Sequence, residues 1–141
     1  MYTYSLIVIA DSEEDAIKKA SKYAGRYGDH NVSSCISYAS ESKLFEDTVQ
    51  ELISLYKGLY NASENMIKRF EGKVPEDDFI FNTLKENLER YERGSYAYPE
   101  EWKLVFHDGR DFEHIDDYSF FENIKNNTNH ENLYLLIIDI P

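Results

Sequence analysis

The densest run of side chains able to do chemistry is His107, Asp108, Asp111, Glu113, His114, Asp116 and Asp117, seven candidate ligands within the eleven residues 107–117. Carboxylates and imidazoles at close spacing suit a divalent cation, because hard oxygen and borderline nitrogen donors must converge on one ion. Convergence is the weak point of the pattern. Asp108-Gly109 fits a two-residue type I′ turn between Lys103–His107 and Arg110–His114, which would set Val105 opposite Phe112. Successive side chains of such a hairpin leave on opposite faces, so Asp111 and Glu113 would point one way and Phe112 and His114 the other. The run also departs from the EF-hand, which places oxygen donors at alternate positions with Gly sixth and Glu twelfth. A solvated acidic hairpin followed by a helix cap accounts for the same residues. The sequence therefore assigns no metal and no cofactor, and a divalent-cation-binding or metal-dependent hydrolase domain built on His107 to Asp117 stands as an alternative.

Other catalytic signatures are missing from the sequence. It holds no glycine-rich phosphate loop of either common type and no G-X-S-X-G nucleophile elbow. Cys35 is the single cysteine, so neither an internal disulfide nor a multi-cysteine zinc site can form, which fits a reducing compartment and hence the cytoplasm. A lone Cys in a strand reads as a small packing residue rather than a nucleophile. The acid pairs Asp77-Asp78, Glu100-Glu101 and Asp116-Asp117 are adjacent in sequence and point apart, so they read as helix starts and not as an acid/base dyad. Catalytic residues are thus unassigned, and the reading leans away from an enzyme.

Charge says more. Of the net charge of −12, residues 1–70 carry ten acids against eight bases, and residues 71–141 carry seventeen against seven. A one-signed half of this kind repels nucleic acid and favours basic protein surfaces or cations. One basic stripe runs against the trend, Lys18, Lys22 and Arg26 with Lys19 beside them, and it reads as the solvated face of a helix. The acidic half also holds Tyr96, Tyr98, Pro99 and Trp102 beside Glu100 and Glu101. Tyr and Trp offer large contact area at small entropic expense, while surrounding acids steer a basic partner. The residues expected to bind a partner are therefore Glu76, Asp77, Asp78, Tyr96, Tyr98, Glu100, Glu101 and Trp102.

The expected function is that of a small acidic interaction module which binds and masks a basic surface on another protein, with no direct nucleic-acid or membrane binding. By size and charge its class analogues are inhibitors encoded by phages and mobile elements, such as anti-CRISPR or anti-restriction proteins, and immunity proteins that neutralise toxins. Ten Lys against five Arg, with ten Asn and twelve Tyr, suits an AT-rich bacterial or phage genome. A structural subunit that forms homo-oligomers is the third reading.

These residues must be positioned by an ordinary domain. At 141 residues, with 42% hydrophobic, 15% aromatic and 30% charged content, the chain has the composition of one globular unit able to bury a core. Tyr2 to Ala10 and Leu133 to Ile140 are near-continuous apolar runs, read as strands buried on both faces at the centre of one sheet. Neither run is long enough to be a membrane span. Ser12 caps a helix whose apolar positions Ala16, Ile17, Ala20, Tyr23, Ala24 and Tyr27 recur at helical spacing. Val32 to Tyr38 alternates as a strand, completing β-α-β by residue 39. The segment ADSEEDAIKKA behind its apolar strand resembles the first β-α unit of small ferredoxin-like domains, a likeness covering about a fifth of the chain.

The middle, 42–94, is helical, with apolar residues from Phe45 and Val49 to Ile67 and Phe70 at three-to-four-residue spacing and Ile80, Leu84, Leu88 and Tyr91 forming the apolar stripe of the helix that follows. A single helix from Lys43 to Glu71 would be about 43 Å long, so a kink or a break is expected at Gly58 or Asn61-Ala62-Ser63. Pro75 opens the next helix, with Glu76, Asp77 and Asp78 in its first turn and Gly94 at its end. Residues 95–132 supply the hairpin and a short helix with Phe120, Phe121 and Ile124, before the last strand. The expected architecture is α+β, a single domain over 1–141, with a mixed or antiparallel sheet and helices packed on one face.

Overall fold

The computed structural model describes residues 2–25, 28–92 and 103–141. Strands β1 (Tyr2–Ile9) and β5 (Leu133–Ile140) pair antiparallel along their whole lengths, from Tyr2 opposite Ile140 to Ile9 opposite Leu133. The free side of β1 takes β3 (Lys103–His107) in parallel, and β5 takes β2 (Asn31–Ser37) antiparallel. β4 (Phe112–His114) closes the other edge, giving the order β2-β5-β1-β3-β4. The fold is α+β on a mixed sheet, with the two terminal strands at its centre. Between β1 and β2 runs α1 (Glu13–Ala24), and because β5 lies between those strands the unit is a split β-α-β.

Helices cover both faces of this sheet, not one as expected. Tyr4, Leu6 and Val8 of β1 join Val105, Leu136 and Ile138 beneath α1, whose Ala16, Ala20 and Ala24 let the helix approach closely. On the opposite face, Ile7, Leu104, Phe106, Leu133 and Leu135 pack under Phe45, Val49 and Ile53 of α2 (Ser42–Phe70) and Phe121 and Ile124 of α4 (Tyr118–Asn126). The reason is in the strands themselves. With no polar face on β1 or β5, each side of the sheet exposes apolar surface that must be covered.

Four local expectations change. In β2 the register slips between Val32 and Ser34, a bulge that breaks simple alternation, so Val32 and Cys35 reach the α1 side while Ile36 and Tyr38 reach the other. In the hairpin Val105 faces His114, and Phe112 faces His107, because the turn uses four residues instead of two. Asp108 causes this by accepting bonds from the N–H groups of Arg110 and Asp111 at 2.8 and 2.9 Å, with Gly109 at φ 103°.

The other two corrections concern the middle. α2 runs unbroken through Gly58 for 29 residues. It outlasts the sheet: Phe45, Val49, Ile53 and Tyr56 are buried, and no described side chain of α2 beyond Tyr56 is. α3 (Phe79–Glu92) packs against α2, and it begins four residues after Pro75. Pro75 to Asp78 is a turn closed by the Asp78 N–H on the Pro75 carbonyl at 3.0 Å. The Gly94 stop lies outside the described residues.

Candidate interaction site

The second half of α2 and α3 form an arm whose end is set by three local devices. Gly72, at φ 75°, takes the left-handed conformation that reverses the chain after α2. Pro75 starts the turn. Asp78 then caps α3, its carboxylate accepting from the Phe81 N–H at 2.9 Å and its carbonyl from the Asn82 N–H at 3.0 Å.

This start fixes which way three consecutive apolar residues face. Each residue turns a helix by about 100°, so Phe79, Ile80 and Phe81 sweep wider than the stripe one neighbouring helix can cover. Phe81 takes the inward position and is buried. Ile80 is left 70% exposed and Phe79 82% exposed, with Met66 and Phe70 of α2 also exposed. Together Met66, Phe70, Val74, Ile80, Phe81 and Leu84 line an apolar cleft of about 340 Å³, with Asp78 at its edge.

Charge surrounds the cleft unevenly. Glu76 and Asp77 are exposed in the turn, whereas the Asp78 carboxylate is directed to its own helix start. Residues 64–89 hold seven acids against four bases. The Lys68 ammonium is occupied by Glu64 at 2.9 Å. Lys85 lies over the Phe81 ring, 4.8 Å from its centroid, so an aromatic face of the arm already accepts a cation.

Of the residues expected to bind a partner, Asp78 lines this cleft and Glu76 and Asp77 are exposed in the turn that leads to it, while Tyr96, Tyr98, Glu100, Glu101 and Trp102 lie outside the described residues. The apolar anchors were not among the residues expected to bind; the sequence placed Phe70, Ile80 and Leu84 on the apolar stripes of their helices. A usable signal was present: three adjacent large apolar residues at a helix start cannot all be buried by one neighbour.

Four of the seven candidate metal ligands have other duties. His107 stacks on Phe112 at 4.4 Å, and His114 lies edge-on to the Tyr56 ring at 4.5 Å. Asp108 closes the hairpin turn, and the N–H bonds from Asp111 and Arg110 hold its carboxyl below the ordinary range. Asp117 caps α4 through the Ser119 N–H at 2.7 Å, which likewise lowers its carboxyl. Asp111, Glu113 and Asp116 are exposed. Among the described residues no three His, Cys, Asp or Glu side chains come together as a metal site.

Cys35 is half-buried, and loss of water, with a further contribution from the Glu13 charge, pushes its thiol up to about 11. It is a protonated packing group at neutral pH. In the basic stripe, Lys19 donates to the Ile9 carbonyl at 2.8 Å and pairs with Asp15 at 3.2 Å, while Lys18 and Lys22 are exposed. Arg26 is outside the described residues.

One polar cluster has no sequence signature. Glu46 of α2 accepts from the Tyr38 hydroxyl at 2.7 Å, the Lys125 ammonium at 2.8 Å and the Tyr118 hydroxyl. Burial alone would raise this carboxyl, but the bonds from Lys125, Tyr118 and Tyr38 outweigh it and hold the group below its ordinary value. The same bonds raise Lys125, and desolvation and Glu46 together raise Tyr38 and Tyr118. Every partner is committed to the others, so the cluster clamps α4 and the end of β2 to α2 and presents no poised acid or base.

No protein-family model, curated protein or solved structure matches the chain. Among the described residues no helix is long and apolar enough to cross a membrane.

Proposed function

We propose that the protein is an acidic interaction module that binds and masks a basic surface on another protein through the end of the α2–α3 arm. The observation that carries this reading is the exposure of Phe79 and of Ile80, which lines an apolar cleft with Asp78, next to a turn in which Glu76 and Asp77 are exposed. Apolar anchors supply most of the energy of such contacts, and acids at the rim set rate and orientation. Exposed phenylalanine rings beside acids also suit Lys and Arg, which bind carboxylates and aromatic faces alike. In its inhibitor-like form the module covers the kind of basic surface that a nucleic-acid-processing enzyme offers its substrate, in a cytoplasm of bacterial or phage-infected origin.

The test is affinity capture from nuclease-treated lysate of the native host with three baits: the wild type, Ile80→Asn, and the double charge reversal Glu76→Lys with Asp77→Lys. The expected result is a stoichiometric basic protein held by the wild type, released by high salt and lost by both variants. Retention that ignores salt and both variants would sink the reading.

A further inference from the structure

The way the cleft is built limits the shape of what it can hold. Its walls are the side chains of Met66 and Phe70 on α2 and Ile80, Phe81 and Leu84 on α3, with Val74 between the helices; the Phe70 carbonyl is taken by the Lys73 N–H and the Phe81 N–H by the Asp78 carboxylate. An extended peptide placed there would find no strand edge to pair with, and its N–H and C=O groups would be left without partners against an apolar lining. A helix arrives with those groups already satisfied and offers only side chains. The dimensions agree: Met66 to Phe70 and Ile80 to Leu84 each span about 6 Å along their helices, one turn per wall, enough to hold the apolar face of a short helical stretch.

Charge separates a basic guest from a second copy of this chain. A two-fold contact through the cleft would bring together the turns of both copies, each with Asp78 at the cleft and Glu76 and Asp77 exposed beside it, whereas a guest with Lys or Arg beside its apolar face meets those acids favourably. We infer that the cleft receives an amphipathic α-helix of the partner, with apolar residues spaced i and i+3 or i+4 in the cleft and Lys or Arg on its flanks. This inference rests on the interaction reading above and adds the form of the recognised element.

Two synthetic peptides of about 14 residues, four turns when helical, test it on the full chain. They share one Leu/Lys composition, the first with Leu at helical spacing and the second with Leu alternating as in a strand. Equal charge cancels the long-range attraction, leaving shape. Titration calorimetry is expected to show one helical-pattern peptide bound per chain at least tenfold more tightly than the alternating one. Amide NMR shifts should centre on Met66, Phe70 and Ile80, and Ile80→Asn, with its fold checked by circular dichroism, should abolish the preference.

Equal affinities, or a preference for the alternating peptide with shifts along the β2 edge from Asn31 to Ser37, would overturn the helix inference. The basic-partner reading would survive that result if the Glu76/Asp77 reversal still weakened both peptides. Should neither peptide bind while sedimentation shows self-association that Ile80→Asn removes, a second copy is the occupant and both readings fall.

Discussion

Leu135 and Leu136, at the middle of β5, are completely removed from water, whereas Phe79 and Ile80, in a stretch just as apolar, keep 82% and 70% of their surface. Hydrophobicity does not separate these regions; the number of neighbours does. Leu135 and Leu136 lie between β1 and β2, with α2 and α4 over the first and α1 over the second, so every direction from these side chains meets protein. Among the described residues α3 packs chiefly on α2, which has already left the sheet, and one helix can bury only one stripe of another. The sheet buries its apolar residues and the arm leaves some exposed. Exposed apolar residues grouped around a cleft are the usual mark of an interaction surface.

That contrast can be broken most sharply by truncation. Leu136→Ala should cost about 2–5 kcal/mol, because it opens a cavity between β2, β1 and α1, and urea unfolding monitored by circular dichroism measures it. A loss below about 1 kcal/mol would mean the sheet is not the stable part of the molecule.

Glu46→Gln is next, at about 1–3 kcal/mol, since it removes the charge that three donors share. Here the sign with pH is informative. The folded carboxyl lies below its ordinary value, so its contribution is present above the unfolded value, about 4.3, and disappears as pH falls through the folded one. The wild type and the variant should therefore differ most near neutrality and converge in acid. A constant difference across that range would place the effect in packing instead of charge.

Asp78→Ala should remove the α3 cap at about 0.5–2 kcal/mol. Because the described contacts of α3 are chiefly with α2, the loss is expected mostly as faster amide exchange in α3, with exchange in β1 and β5 little changed. Equal acceleration in the strands would show that arm and sheet unfold as one unit. The smallest effect on stability belongs to Ile80→Asn, within about 0.5 kcal/mol as for other surface changes, although this is the substitution expected to abolish partner binding. The reverse pattern, a large stability loss without a binding defect, would move Ile80 from the contact surface into the core.

The sheet was legible because its strands carry their instructions locally. Two long apolar runs without polar interruption imply burial on both sides, and they do occupy the centre. The same fact implies helices on both faces, an inference missed when the helices were assigned to one. The hairpin was legible in place but not in register, because the Asp108 carboxylate competes for the N–H groups of Arg110 and Asp111 and lengthens the turn. In the arm, the acids Glu76 and Asp77 were legible as surface charge, while the exposure of Ile80 and Phe70 was not, since helical periodicity says that a stripe exists and not whether anything covers it.

By itself, then, the sequence determined the element types, the central place of the terminal strands, the acidic balance, and the capping by Ser12 and Asp117, all of which depend on residues a few positions apart. The tertiary structure alone decided the Glu46 clamp, which joins Tyr38, Tyr118 and Lys125 across as many as 79 positions of chain, the separate duties of the His107 to Asp117 run, and the open cleft of the arm. These depend on which surfaces meet. Burial is a relation between a side chain and its neighbours, and a linear pattern specifies only the side chain.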